Sequence, residues 1–307
     1  MRRRSVIRLT SLSAALVVTC CAAAWAATAV WEVARRTLDQ AEPIDTYIWT
    51  EEGAWFGGLS SLEVSANGMG FVAITDRAHL VAGRFWRDAG QITSIEMLRN
   101  ERLKDKDGAP VSHRLEDSEG LAFGPDDTFY VSFEGPPRIL EISPSGVVEI
   151  PGPTKPADFH HNGSFEALAR SEDGRLITIT ESAPLRPGVD RVWQWSKQGG
   201  WQGLGDYPEQ DGFLPVGADL GPNGALYVLE RKFSGIGFRS RLRRFELTET
   251  GLTQGDILMS SALAQYDNLE GLSIWRDDGG SLRATMIADD NFFWLLRTEV
   301  VEVRLPD

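Results

Sequence analysis

One pattern recurs five times along this chain of 307 residues and limits the fold more than any other feature. Each copy begins with a small residue or Glu-Gly-Leu and continues with a strand, a tight turn, a second strand and an acidic residue. The copies span residues 57–76, 119–134, 166–181, 217–230 and 270–289. Their starts are 47 to 62 residues apart, a spacing typical of four-stranded propeller blades.

The segments that follow these hairpins indicate further strands rather than helices. We predict the third strands of their copies at residues 138–142, 191–195 and 242–247, and a fourth, outer strand at 92–96. Alternation with a period of two outweighs helical periodicity nearly everywhere after the first thirty residues. We therefore predict an all-β chain, a β-propeller of four-stranded blades, with five blades favoured and six as the alternative. A β-sandwich would explain the alternation but not five copies of the same acid.

The segment 44–50 lies before the first copy and has the character of a strand. We predict that it completes the last blade by pairing with the end of the chain. Joining the two termini in this way removes the exposed sheet edges that would otherwise promote aggregation.

The N-terminal residues have the features of a targeting segment rather than of the folded domain. Three arginines, Arg2 to Arg4, precede an apolar, alanine-rich stretch that extends to about Val30, with Ala24-Trp25-Ala26 as a cleavage motif. These are the features of a secretory signal peptide, and an uncleaved membrane anchor is the alternative. We expect a periplasmic or secreted protein, or one anchored to the membrane by this segment. The predicted parts are a signal or anchor at 1–26, a linker at 27–43 and one propeller domain at 44–307.

Charge and cysteine content exclude several classes of protein. The net charge of -13 is unfavourable for nucleic acid or an anionic membrane surface, because both require a basic face. Cys20 and Cys21 both lie in the N-terminal segment, so the propeller has no disulfide, thiolate metal ligand or thiol nucleophile. We expect a monomer whose only contact with a membrane is made by the N-terminal segment.

Three of the five copies begin with a glutamate: Glu119, Glu166 and Glu270. In a propeller the first strand of each blade lines the central channel, so these side chains should converge at one mouth of the channel. Converging carboxylates repel each other unless a cation binds or their pKa values shift. Oxygen ligands without thiolates favour Ca²⁺ or Mg²⁺ over zinc. The alternative is that each glutamate accepts hydrogen bonds from neighbouring backbone amides.

A second set of acids ends the second strands. Its members are Asp76, Glu134, Glu181, Glu230 and Asp289. Five copies favour a shared structural role, such as accepting hydrogen bonds from turn amides. Arg231 follows one of them and could clamp a phosphate or carboxylate, or form a local salt bridge. His160 and His161 precede the third copy, and since neighbours in a strand point to opposite faces, one of them could serve as a base or ligand.

The order of several motifs resembles one family. They are Gly58-Leu59-Ser60-Ser61, Asp117-Ser118-Glu119-Gly120-Leu121, Phe165-Glu166-Ala167-Leu168, Asn268-Leu269-Glu270-Gly271-Leu272 and Asp289-Asp290-Asn291-Phe292. Over residues 57–305 the chain resembles the bacterial phytase-like family, also called esterase-like activity of phytase. The resemblance implies an exported propeller that hydrolyses esters or phosphoesters. The first and fourth copies lack the initial glutamate, so the ring of acids is not symmetric.

Two functions from different classes follow. The first is a metal-dependent hydrolase of small esters, phosphoesters or lactones that works at the central channel. Ca²⁺ would be held by Glu119, Glu166, Glu270, Asp289 and Asp290, and the catalytic residues would be His161, Glu166 and Arg231. The second is a non-catalytic envelope propeller that binds a ligand or a protein partner at its rim.

Overall fold

The computed structural model describes residues 41–53 and 55–306. Within these residues the strands are joined by turns and loops, and the only helical element is a 3-10 turn at Pro156–Asp158. In this part of the chain no helix is long and apolar enough to cross a membrane. The predicted signal or anchor and nearly all of the predicted linker lie outside the described residues.

Twenty of the strands form five antiparallel four-stranded sheets, which are the blades. The first strand of the chain is β1 (Glu42–Ile48). Blade one contains β2 (Leu59–Val64), β3 (Gly70–Thr75), β4 (His79–Asp88) and β5 (Gln91–Arg102). Blade two contains β6 (Ser118–Phe123), β7 (Phe129–Phe133), β8 (Arg138–Ser143) and β9 (Gly146–Pro151). Blade three contains β10 (Phe165–Arg170), β11 (Leu176–Thr180), β12 (Val192–Ser196) and β13 (Gly200–Gly203).

The last two blades depart slightly from this simple order. Blade four contains β14 (Leu214–Leu220), β15 (Leu226–Phe233), β16 (Phe238–Phe245) and β19 (Asp256–Ser260). Before β19 the chain forms a small separate hairpin of β17 (Leu247–Thr248) and β18 (Gly251–Leu252). Blade five contains β20 (Asn268–Arg276), β21 (Leu282–Asp289), β22 (Glu299–Arg304) and, at its outer edge, β1. The prediction of a five-bladed propeller is confirmed.

The first and last strands of the described residues close the ring in blade five. β1 pairs antiparallel with β22, from Glu42 opposite Arg304 to Ile48 opposite Glu299. The strand begins two residues before the predicted start of the domain, and otherwise it is the closing strand that the sequence predicted. The chain therefore enters the propeller beside the C-terminal end of β22.

The hydrophobic core is divided among the blade interfaces. Five clusters of buried apolar side chains are found in the described residues, and each joins two neighbouring blades. In one of them Phe71 and Phe85 of blade one stack, with ring centroids 4.6 Å apart, and pack with Ile287 of blade five. No blade buries its apolar faces alone, so opening the ring at one interface would expose the apolar faces of two blades to water.

Every first strand carries an irregularity near its start. The register between first and second strands shifts between Leu59 and Ser61, Ser118 and Leu121, Phe165 and Ala167, Pro215 and Gly217, and Leu269 and Gly271. A bulge of this kind adds a residue to one strand and changes the direction of its side chain. The bulged positions include all three glutamates of the predicted ring, while blades one and four have Ser60 and Val216 there.

A buried ion pair ties blade one to blade five. Arg87 in β4 donates to both carboxylate oxygens of Glu302 in β22, over 2.6 and 2.7 Å. The Glu302 side chain is completely buried, and it also accepts a hydrogen bond of 2.7 Å from Thr285. Its partners would remain in a site without water if the carboxylate were removed.

We predict that Glu302→Ala lowers the free energy of unfolding by about 3 to 5 kcal/mol, because it leaves Arg87 buried without its counter-charge. Urea denaturation measures the change. The control is Glu42→Ala, which removes an exposed partner of Arg304 in the same blade and should cost less than about 1 kcal/mol. Equal losses in the two variants would contradict this account of ring closure.

Candidate functional site

An acidic cavity of about 220 Å³ opens at one end of the central channel. Eight carboxylates and one guanidinium line it, together with two asparagines and a glycine. The lining residues are Asp76, Asp117, Glu119, Glu134, Asn162, Gly163, Glu166, Glu181, Arg231, Glu270, Asp289 and Asn291. All five blades contribute, so the cavity exists only in the closed ring.

The antiparallel hairpins explain why so many acids meet here. The start of each first strand lies beside the end of its second strand, as Asn268 lies opposite Asp289 in blade five. The glutamates at the strand starts and the acids at the strand ends therefore face the same cavity. Four of the five acids for which the sequence favoured a structural role, Asp76, Glu134, Glu181 and Asp289, line the cavity.

The fifth member of that set, Glu230, has a structural role. It is completely buried and forms ion pairs with Arg241 at 2.5 Å and Arg243 at 3.1 Å. Tyr207 donates a further hydrogen bond of 2.7 Å to it. The next residue, Arg231, lines the cavity instead, since successive side chains of a strand point to opposite faces.

Three carboxylates in blade two form the tightest group. One oxygen each of Asp117, Glu119 and Glu134 lies within 4.8 Å of the other two. Asp117 is hydrogen-bonded to Glu119, and Glu134 is hydrogen-bonded to Glu166. Two carboxyl groups can share a hydrogen bond only if a proton lies between them, and a cation can replace that proton.

Backbone amides also hold this group in place. Glu134 accepts hydrogen bonds from the amides of Ser164, at 2.5 Å, and of Gly163. Asp117 and Glu134 were not among the predicted metal ligands. In the sequence, Asp117 comes just before a Glu-Gly-Leu start and Glu134 lies at a strand end. Each position, taken in isolation, is typical of a turn residue.

Arg231 occupies the opposite side of the cavity. Its guanidinium donates to Glu181 over 2.8 Å and to Asn268 over 2.9 Å, and it contacts Glu270 at hydrogen-bonding distance. Asn268 donates in turn to Glu270 over 2.8 Å. Burial opposes the charge of Arg231, but the carboxylates of Glu270, Glu181 and Glu166 outweigh burial and raise its pKa above the usual value. Arg231 thus neutralises part of the acidic ring and positions two of its members.

The pKa values of seven of the eight cavity carboxyl groups are raised, which favours their neutral forms. Burial is the main cause, and repulsion between neighbouring acids adds to it in several cases. The pKa rises to about 7 for Asp76 and Glu134, to about 8 for Glu270 and to about 6 for Asp289. The pKa values of Glu119 and Glu166 are raised well above the usual range by burial and by the acids around them.

Two of the predicted site residues lie apart from the cavity lining. Asp290 accepts hydrogen bonds from the amides of Gly58 at 3.1 Å and Phe292 at 2.9 Å, and from Thr298 at 3.2 Å. These bonds make it a brace between two loops, whereas its neighbour Asp289 lines the cavity. His161 is exposed at the rim, with Nδ1 3.2 Å from the side-chain oxygen of Asn162.

The donor set fits a hard divalent cation. Its members are carboxylate and amide oxygens, the ligands that Ca²⁺ prefers, and Ca²⁺ accepts six to eight of them. One carboxylate oxygen of Asp76 is buried and has no hydrogen-bond partner among the described residues. The close carboxyl groups and this unpartnered oxygen fit the ligand set of a divalent cation.

The chain matches the model of the phytase-like family, described as esterase-like activity of phytase, over residues 54–292. It therefore belongs to this family, and the resemblance seen in its motifs is confirmed. No curated protein matches the chain.

The chain is similar to several solved structures. Virginiamycin B lyase from Staphylococcus aureus, a catalytically inactive form with quinupristin, has 11% identity and a TM-score of 0.44 over 85% of this chain and 100% of its own. PQQ-bound aldose sugar dehydrogenase from Streptomyces coelicolor has 15% identity and a TM-score of 0.42 over 85% and 99%. The WD40 domain of Neurospora crassa Pan2 has 11% identity and a TM-score of 0.44 over 88% and 97%. These similarities carry no information on function.

We predict that the calcium-free protein loses stability as the pH rises from about 5 to 8. Acids with raised pKa values stay neutral in the folded state at low pH, and ionising them as the pH passes through about 7 for Glu134 and 8 for Glu270 costs the folded state more than the unfolded one. Thermal unfolding in a chelator should show a falling Tm across this range. Added calcium should restore the Tm at pH 8, because a bound cation stabilises the ionised forms. A Tm that is flat or rises between pH 6 and 8 in the chelator would contradict the prediction.

Proposed function

We propose that this propeller is a divalent-cation-dependent hydrolase of small esters or phosphoesters, with Ca²⁺ bound in the acidic cavity. The observation that carries the proposal is the convergence of eight carboxylates on one cavity with a single arginine to offset them. Membership of the phytase-like family supports it. So many carboxylates buried together destabilise a fold, and a bound ligand that stabilises them is the simplest reason for the arrangement.

The proposed cation lies against the group formed by Asp117, Glu119 and Glu134. Their three oxygens are close enough together to belong to one coordination sphere. Glu166, which is hydrogen-bonded to Glu134, is the next ligand or the neighbour of the site. Asn162 in the cavity wall could add a neutral oxygen. Glu270 and Asp289, also predicted from the sequence, would contribute charge from the other side of the cavity.

A cation here would polarise the ester or phosphoryl oxygen of a substrate and lower the pKa of a bound water. Glu166 is suited to accept the proton from that water once a cation keeps the neighbouring acids ionised, because it lies against Glu134 at the proposed site. Arg231 acts as a positioning residue that keeps Glu181 and Glu270 in place. His161, at the rim, is suited to pass the proton to solvent.

A cation is also needed for a substrate that carries negative charge. Without it, the carboxylates would repel a phosphoester or the carboxylate product of an ester. With it, the cavity presents a positive centre surrounded by a wall of acceptors. Calcium at the concentrations found outside cells can fill sites of modest affinity, which is consistent with the proposed export to the periplasm or the medium.

We predict that the wild-type propeller binds calcium and that Glu119→Gln weakens binding by tenfold or more, because it removes one charged ligand of the tightest group. Isothermal calorimetry measures this directly. The matched control is Glu172→Gln, an exposed acid in the turn between β10 and β11 at the other end of its blade, which should leave the affinity unchanged.

The same variants test catalysis. Calcium-dependent hydrolysis of nitrophenyl esters or phosphoesters that Glu119→Gln abolishes and Glu172→Gln retains would support the hydrolase. A wild type that does not bind calcium would overturn the proposal. Calcium binding without hydrolysis of any ester would favour the alternative, an envelope propeller that binds a ligand.

A further inference from the structure

An apolar shelf lies on one side of the cavity mouth. It consists of exposed large side chains on three loops of blades four and five: Phe233, Ile236, Leu263, Phe293, Trp294 and Leu295. Trp294 and Ile236 are both 83% exposed, which is unfavourable in water unless another molecule covers them.

Hydrogen bonds join the three loops that carry the shelf. At the start of β16, the carbonyl of Phe238 accepts a hydrogen bond of 2.9 Å from the amide of Ala264 in the loop before β20. That loop is joined to the loop between β21 and β22, because Arg297 donates to Asp267 over 2.7 Å. The loops that carry the exposed side chains are therefore neighbours.

The shelf is directly connected to the acidic cavity. Arg231, which lines the cavity, is two residues before Phe233 in β15, and Asn291, which also lines it, is two residues before Phe293. The same strand ends that carry polar groups into the cavity thus carry apolar groups onto its rim.

The size of the cavity limits how much of a substrate can enter it. At about 220 Å³ it is smaller than the roughly 300 to 1,000 Å³ of pockets that enclose a drug-sized ligand. It can take a phosphate or carboxylate head, but the rest of a substrate has to lie outside, across the mouth. On the side of blades four and five that surface carries the six apolar side chains of the shelf.

We propose that the shelf binds the apolar part of an amphiphilic substrate, an ester or phosphoester with an acyl, alkyl or aryl group, while the polar head enters the cavity. This inference rests on the proposed function, because the shelf then selects among the esters that the cavity could hydrolyse. The shelf distinguishes this chain from a hydrolase of fully polar phosphoesters, whose substrates have no apolar part for the shelf to bind.

Charge disfavours a membrane as the occupant. The net charge of -13 is unfavourable for docking the propeller on an anionic lipid surface, whereas a cation in the cavity can still bind the head of a single substrate molecule.

The test uses methylphosphonate, butylphosphonate and octylphosphonate, which are not hydrolysed, with calcium and the full propeller. We expect the affinity measured by calorimetry to rise by a factor on the order of ten to a hundred from methyl to octyl, as apolar surface is buried. Trp294→Ser should remove most of this increase and leave methylphosphonate binding unchanged. Trp86→Ser is the control, because Trp86 is also exposed, at 46%, but lies near the end of β4 away from the cavity.

Affinity that does not rise with chain length, or a rise that survives Trp294→Ser, would overturn the inference. Trp294-dependent binding to lipid vesicles without phosphonate would assign the shelf to a membrane and overturn it as well. Phosphonate binding with the expected chain-length dependence, but no hydrolysis of any ester, would refute the hydrolase and leave the assignment of the ligand in place.

Discussion

The pairing of β1 with β22 is the interaction on which the rest of the molecule depends. It joins the first and last strands of the described residues in one blade and supplies the fourth strand of that blade. Each apolar cluster lies between two blades, so an open ring would expose two of its core faces to water. The buried pair of Arg87 and Glu302 strengthens the same junction. All five blades line the acidic cavity, which means that closure creates the site as well as the core.

The site shows how a repeated fold can concentrate charge. A bulge at the start of each first strand turns one side chain toward the axis, and a second side chain arrives from the end of the neighbouring strand. Five repeats of this arrangement bring together more negative charge than the fold can keep ionised, which is why burial raises so many pKa values. Arg231 relieves part of the repulsion. A divalent cation would relieve the remainder and supply the chemistry proposed for the site.

Differences between the blades make the two sides of the site chemically different. Blade four has Val216 where three others have a glutamate, and its acid Glu230 is held by two buried arginines. Arg231 faces the cavity in its place, so the tightest carboxylate group forms on the other side, in blade two. The apolar shelf lies on the side of blades four and five. A substrate held between these two regions would be polar at one end and apolar at the other.

The sequence by itself determined the repeat, the four-stranded blade and the closing strand, because turn residues, alternation and spacing are local properties of the chain. It also identified Glu119, Glu166 and Glu270 as residues that converge, since equivalent positions in a ring must face one axis. Only the tertiary structure decided that Asp117 and Glu134 complete the tightest group, that Asp290 braces a loop and that Arg231 is held by Glu181 and Glu270. These outcomes depend on the direction of single side chains across strands and loops that are far apart in sequence. A one-residue bulge sets that direction, and the pattern of apolar and polar residues in the sequence does not indicate where the bulge lies.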